Sequence, residues 1–473
     1  MSDALQSLFE NPSSPDDVKK KSGPENRIND LNYSDWMKYQ KSFFRWEDVK
    51  DFVDKSILFF SKELRDGNPS RVLVLGFPEW SKSSGLGGRV ISHLADASEI
   101  EGLYDHAVVD FRNLASVSEK SIDDLEEIFQ IGSRIVSSLH EKAYAQSLFG
   151  ENSGFDYPIA WEFAQKIGSV SRLRDERVAL HNTGGVSYAP IFQKDSELEH
   201  SADYDLEIQF SNSTAPIPGW LIPKPPPRRK NEKLHPAKYP ETLVETFIEC
   251  FTAEGDTVFD PMSGTGSTQV AALNLGRKAI GFELSEDFAA IANQRIETMF
   301  SAALFGNSVE QGTDLVLTRD ATEASSYEDI AELDYVCTSP PYWSMLRNPG
   351  SENQRARRDK NLQTYYSDSQ RDLGNIEDYD LFVDVLVDLY KLIGDSMRVG
   401  AELTIVVKNV KRNHTVFPLA WDLAKRLSFS GTGFGYAGNS LWCQDDVGLK
   451  PFAIGTHWVS NTLHQYCLHF IRI

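Results

Sequence analysis

Apolar residues along this chain come in short runs that stop at turn formers, and that pattern predicts buried strands separated by amphipathic helices. In the carboxyl half the runs at 256–259, 279–283, 313–318, 334–337 and 402–408 read as strands, followed by two closing strands at 440–443 and 462–470. Helical periodicity lies between them at 270–275, 286–300, 380–397 and 418–427. Strand and helix in alternation predict an α/β fold with a largely parallel sheet. Earlier in the chain, 71–76 and 105–111 read as strands and 122–139 as a helix, an additional N-terminal α/β region.

In open parallel sheets ligands gather at the carboxyl ends of the strands, so the residues that follow each run carry the chemistry. The run ending at Phe259 continues as Asp260-Pro261-Met262-Ser263-Gly264-Thr265-Gly266, a glycine turn that leads into the helix at 270–275. That is a strand, a glycine turn and a helix, the opening of a nucleotide-binding unit. The next strand ends in Glu283, placed to hold two ribose hydroxyls. The run 334–337 is broken by Thr338-Ser339-Pro340-Pro341-Tyr342-Trp343. Such a turn offers a hydroxyl, carbonyls freed from proline N–H competition and a flat aromatic face, groups that suit a planar base with an exocyclic amino group. Taken alone it is equally a stiff turn.

These segments together resemble the amino-methylating DNA methyltransferases, which transfer methyl from S-adenosylmethionine to cytosine N4 or adenine N6. The glycine turn is similar to that family's DPFxGSGTT loop, Gly281-Phe282-Glu283 to its ribose acid, and Ser339-Pro340-Pro341-Tyr342 to its catalytic (S/N/D)PP(Y/F/W) tetrapeptide. Leu234-His235-Pro236-Ala237-Lys238-Tyr239-Pro240-Glu241 resembles the HPxxxP(E) segment at the methionine end of the cofactor. The resemblance implies a Rossmann-like seven-stranded methyltransferase sheet over 234–473. It assigns His235, Pro236, Asp260, Pro261, Ser263, Gly264, Gly266 and Glu283 to the cofactor, and Asp320 to its adenine amino group, with a helix cap as the plain alternative for Asp320. It assigns Ser339, Pro340, Pro341 and Tyr342 to catalysis on a base flipped out of the DNA stack, with Trp343 a further stacking candidate. Serine before Pro-Pro is the commoner choice for cytosine N4. Adenine N6, an RNA base, and a non-catalytic scaffold that has kept the fold are the competing readings.

Composition changes the picture at three points. The formal net charge of -21 argues against a protein that coats nucleic acid non-specifically, so a basic face must be local. The candidates are 224–230 and the stretch after the tetrapeptide, with Arg347, Arg355, Arg357 and Arg358 expected at DNA; a solvated loop is the default for any charge run. The four cysteines have no CxxC spacing, which predicts neither a zinc site nor a disulfide framework and points to a reducing cytoplasm. Cys337 sits inside a strand, where a small buried hydrophobe is expected rather than the nucleophile of a cytosine-C5 enzyme. No long apolar stretch predicts a membrane span.

The expected organisation is a disordered stretch over 1–25, a helical docking box over 26–60 and an accessory α/β region over 70–200 for target recognition or a partner. A proline-rich basic linker follows over 215–233, and then the catalytic domain. Within the docking box, Trp36, Tyr39 and Phe43 are expected on one helix face, and Arg27 to Phe44 resembles a segment preceding the catalytic region in some family members. Gly85-Leu86-Gly87-Gly88 follows the strand 71–76 at too long a spacing for a nucleotide loop and reads as a plain glycine turn. A restriction endonuclease or other defence partner is a further expectation from the resemblance.

Overall fold

The computed structural model describes residues 28–114, 122–152, 157–197, 209–211, 215–223, 239–300, 315–343, 371–412, 415–449 and 458–473. The chain folds into two compact units. Unit 1 holds residues 1–205 together with 411–416 and 445–464, and unit 2 holds 206–410, 417–444 and 465–473.

Unit 1 opens with the short helix α1 (Tyr33–Lys38), capped by the Asn32 side chain, which accepts from the Asp35 N–H. The helix ends before Tyr39, and Phe43 lies in a strand, so the expected three-residue helical face is not formed. The strands along its main sheet are β1 (Phe43–Arg45), β2 (Arg71–Leu75), β3 (Val90–Leu94), β4 (Tyr104–Phe111), β5 (Leu139–Phe149), β6 (Arg172–Leu180) and β7 (Val186–Gln193), with the two-residue strand Glu151–Asn152 beside β7. Helices α2 (Val49–Phe60), α3 (Ile122–Ser137) and α4 (Ile159–Gly168) connect them. The sheet order is β1-β6-β7-β5-β4-β2-β3. Phe52, Val53 and Ile57 of α2 pack on Val72, Val74, Val108 and Leu148. Glycines 85, 87 and 88 form a turn closed by Glu63, whose carboxylate accepts from the Gly88 N–H at 2.7 Å, and no α-helix follows β2 directly. A nucleotide loop is therefore not built there.

Unit 2 carries β8 (Trp220–Leu221), β9 (Thr257–Asp260), β10 (Lys278–Glu283), β11 (Val316–Thr318), β12 (Leu333–Thr338), β13 (Met397–Val407), β14 (Phe434–Cys443) and β15 (His464–Arg472). Its helices are α5 (Glu241–Phe251), α6 (Ser267–Asn274), α7 (Glu286–Phe300), α8 (Tyr379–Gly394) and α9 (Leu419–Leu427). The order is β8-β14-β15-β13-β12-β9-β10-β11, in which the seven expected strands gain a two-residue edge strand, β8. Strands β9 to β13 run parallel and β15 runs antiparallel to β13. Leu243, Val244, Phe247 and Ile248 of α5 pack against Val258, Tyr335, Cys337, Val406 and Cys467 in one core. The strand order reverses beside β9, so the carboxyl ends of β9, β10 and β12 open on one crevice.

Candidate active site

That crevice is a cavity of about 420 Å³, within the range of small-molecule sites. Four stretches that lie far apart in the sequence meet in it. Pro261, Ser263 and Gly264 come from the turn after β9, Glu283 from the end of β10, Asp320 from beyond β11, and Ser339 and Pro341 from the turn after β12.

The turn after β9 is braced from behind. Asp260 is fully buried; its Oδ1 accepts from the Met262 N–H at 3.0 Å, and its Oδ2 accepts from Tyr239 at 2.8 Å and Thr268 at 2.7 Å. Burial raises its carboxyl above the ordinary range despite those donors. Asp260 thus shapes the loop rather than lining the cavity. Gly264 takes φ +53° and donates its N–H to Glu283 Oε2 at 2.9 Å. Gly266 takes φ +77° at the start of α6, where a Cβ would lie 3.1 Å from Ala292 Cβ. Its requirement is therefore backbone conformation and packing on α7.

Glu283 is the electrostatic centre. Its Oε1 accepts from the Ser285 N–H at 2.9 Å, so both oxygens are held by backbone donors. Burial nevertheless pushes its carboxyl up to about 7, helped by the negative charges of Asp260 and Asp372. Asp320 holds its own turn, accepting at Oδ1 from the Thr322 N–H at 3.0 Å and the Thr322 hydroxyl at 2.7 Å. The α-helix cap considered for it is not formed, because no α-helix begins there.

At the end of β12, Ser339 Oγ lies 3.0 Å from the Tyr342 hydroxyl, which donates to Gln465 Oε1 at 2.7 Å. Lys408 Nζ stands 5.8 Å from the centre of the Tyr342 ring. Tyr342 is buried, which raises its phenol above the ordinary value, and neither it nor Pro340 lines the cavity. Trp343 takes φ +47°, donates its indole N–H to the Glu377 carbonyl at 3.1 Å and packs on Tyr379 and Phe417. It is an anchor of the turn, not a stacking face for a ligand. Cys337 is buried in β12 and its thiol is raised by burial, as a structural cysteine should be.

Several site residues carried no sequence signal that singled them out. Tyr239 lies within the proline segment already noted, yet only the structure shows it donating to Asp260. Phe288, Arg319, Arg371, Asp372 and Leu373 complete the cavity wall from segments with no glycine or proline signature. Gln465, at the start of β15, is met only because that strand inserts next to β13. His235, Pro236, Arg347, Arg355, Arg357 and Arg358 lie outside the described residues.

Residues 174–294 match a family model described as DNA methylase, a span that includes the proline segment, the glycine turn and Glu283. Over that span the chain is similar to the amino-methylating DNA methyltransferases. Over 165 residues it is 30% identical to Type II methyltransferase M2.DpnII of Streptococcus pneumoniae, covering 34% of this chain and 59% of that one. It is 44% identical over 82 residues to the orphan methyltransferase M.BamHII of Bacillus amyloliquefaciens, covering 16% and 31%. A third methyltransferase, M2.LlaDCHI of Lactococcus lactis subsp. cremoris, is 28% identical over 164 residues, covering 34% and 58%. The chain thus spans less than two thirds of the length of these methyltransferases. TrmN from Thermus thermophilus aligns over 76% of this chain and 81% of its own at a TM-score of 0.32 and 11% identity, too distant to bear on the site.

Proposed function

We propose that the chain transfers a methyl group from S-adenosylmethionine to the exocyclic amino group of a base in DNA, with cytosine N4 as the acceptor. The observation that carries this reading is the convergence of the glycine turn, Glu283 and the Ser339–Tyr342 turn on one cavity. The residues fit the cofactor: Glu283 is fixed by two backbone donors at the cavity wall, Gly264 allows close approach, and Phe288 and Leu284 supply apolar surface for a purine. When bound, the sulfonium supplies an electrophilic methyl group. What remains for the protein is to orient the amino nitrogen and localise its lone pair. Ser339, which lines the cavity, accepts from the amino group, and no covalent intermediate on the chain is needed.

DNA as the substrate rests on the family match and on the Type II methyltransferases among the relatives. Cytosine is favoured over adenine by Ser339 in the first position of the tetrapeptide, and a restriction endonuclease or other defence partner is the expected companion. Among the described residues no helix is long and apolar enough to cross a membrane. Nucleoside mass spectrometry of DNA from cells expressing the protein tests the reading. N4-methylcytosine in a short fixed sequence is expected; N6-methyladenine alone would move the acceptor while keeping the mechanism, and no base methylation would overturn it. Replacing Arg355, Arg357 and Arg358 together with alanine should weaken DNA binding and shallow its salt dependence by roughly one log–log unit per phosphate contact removed. Unchanged affinity and unchanged site preference would make that stretch a solvated surface.

A further inference from the structure

A phenol has a single proton, and Tyr342 donates its own to Gln465 Oε1. On its other side the Gln465 carboxamide meets Gln444, its Nε2 donating to Gln444 Oε1 at 3.4 Å, in the same sense. The contact between the Ser339 and Tyr342 hydroxyls must then run from Ser339 to Tyr342. Ser339 has directed its proton away from the cavity it lines, and only lone pairs are left for a ligand. We propose that Gln465 is a positioning residue that makes Ser339 an obligate acceptor, so that the site takes a base edge carrying N–H and rejects one carrying a keto oxygen. This rests on the methyl-transfer reading and names what selects the acceptor group within it.

Steady-state kinetics on full-length protein with cognate DNA, alongside cofactor affinity by calorimetry, test the relay. Gln465→Leu and Tyr342→Phe should each lower kcat roughly 10- to 100-fold, with KM for DNA and cofactor Kd within about threefold. The double variant should be no slower than the slower single, because both break one chain of hydrogen bonds. Gln465→Glu, which keeps an acceptor oxygen, should recover at least about tenfold over the leucine variant. An active wild type with an unaffected Gln465→Leu, multiplicative losses in the double, or an equal loss of cofactor affinity would overturn the relay. A wild type that methylates no base would remove the reading and the relay with it.

A second, independent observation concerns unit 1. Reading both sheets from the short parallel edge strand, β1-β6-β7-β5-β4-β2-β3 corresponds in order with β8-β14-β15-β13-β12-β9-β10, leaving β11 of unit 2 and the two-residue strand Glu151–Asn152 of unit 1 unmatched. Directions agree: β2 is parallel to β3 and β4 as β9 is to β10 and β12, and β7 is antiparallel to β5 as β15 is to β13. Even the irregularity is shared. Between β4 and β5 the partners step from Tyr104↔Leu139 to His106↔Tyr144, and between β12 and β13 from Leu333↔Met397 to Tyr335↔Glu402, two residues against five in both. That register equates Val72, Val108, Leu148 and Ala189 with Val258, Cys337, Val406 and Cys467, and each set packs under the helix that precedes the first central strand.

We infer that unit 1 is a second copy of the sheet of unit 2 whose matching edge, among the described residues, does not keep the cofactor-facing groups, so that unit 2 alone takes the cofactor. By the same register Val74 stands where unit 2 has Asp260, Ala95 where it has Glu283, and Asp110-Phe111-Arg112-Asn113 where it has the tetrapeptide. Arg112 ties this edge shut, pairing with Asp110 at 2.6 Å and Glu79 at 2.5 Å. Calorimetric titration of the full chain should give one S-adenosylmethionine per chain, and Glu283→Ala should weaken that event with no second one emerging. Arg112→Ala should lower the melting temperature and leave cofactor affinity and transfer rate within about twofold. Two cofactors per chain, or loss of cofactor binding in a folded Arg112→Ala protein, would overturn the inference.

Discussion

Glu283 is where binding and stability pull against each other. Its carboxyl is moved from the ordinary 4.5 to about 7, so the folded protein holds this proton more tightly than the unfolded chain. The stabilisation is fully present below about pH 4.5 and is lost as pH rises through 7, a swing on the order of 3 kcal/mol. Glu402, raised to about 7, and Asp422, raised to about 6, act in the same direction, all three chiefly through burial. The cofactor-free protein should therefore melt higher at pH 5.5 than at pH 8 in thermal scans, and Glu283→Gln should flatten that slope. On the proposed reading, in which Glu283 accepts from the ribose hydroxyls, the same substitution should weaken S-adenosylmethionine binding by about 1.5–3 kcal/mol at pH 8. Calorimetry at the two pH values separates the effects; equal slopes in wild type and variant would remove Glu283 from the account. Ser339→Ala should leave cofactor affinity nearly intact while slowing methyl transfer.

At the scale of elements, the glycine turn is clamped to its neighbours by Arg295 of α7. That guanidinium pairs with Glu241 on α5 and donates to the Thr265 carbonyl at 3.0 Å, while Ser267 also donates to Glu241. Arg295→Ala leaves Glu241 buried with one donor fewer, and should cost about 1–3 kcal/mol of stability by chemical denaturation and loosen cofactor binding. Gly266→Val places a β-branched side chain at φ +77° against Ala292, so its damage should register as a lower melting temperature even without cofactor. A variant with wild-type melting and no cofactor binding would return Gly266 to direct contact. These elements also mark how far the sequence could be read. Strands β9, β10 and β12 end in residues that announce themselves, a glycine turn, an acid and Pro-Pro, and each is found within two residues of its expected limits. Strands β5, β6 and β7 of unit 1 escaped; in β6 the reason is plain, because Arg172-Leu-Arg-Asp-Glu-Arg177 is charged along a strand that the fold nevertheless buries. No periodicity can reveal burial of that kind; Asp175 and Arg177 are inside because partners distant in sequence meet them there. Gln465 escaped for the same reason, since its partner is 123 residues away.

On the scale of the whole molecule, the organisation is less linear than a docking box, an accessory region and a catalytic domain in series. Asp175 in β6 binds Lys411 at 2.6 Å and accepts from the Ser460 N–H, Trp458 packs among Tyr39, Phe59 and Phe60, and His464 reaches Ser42 at 2.8 Å. All of these contacts lie inside unit 1, although three of the residues come from stretches between β13 and β15. A fragment ending at residue 205 should therefore show a lower and broader thermal transition than unit 1 in the full chain, and adding a peptide of 445–464 in trans should sharpen it. A ribosome makes the first unit first, but the pieces that finish its core emerge only after almost all of the second. The half of the protein that is oldest at synthesis is thus among the last to be completed, and until then Asp175 and the aromatic cluster around Tyr39 wait without their partners.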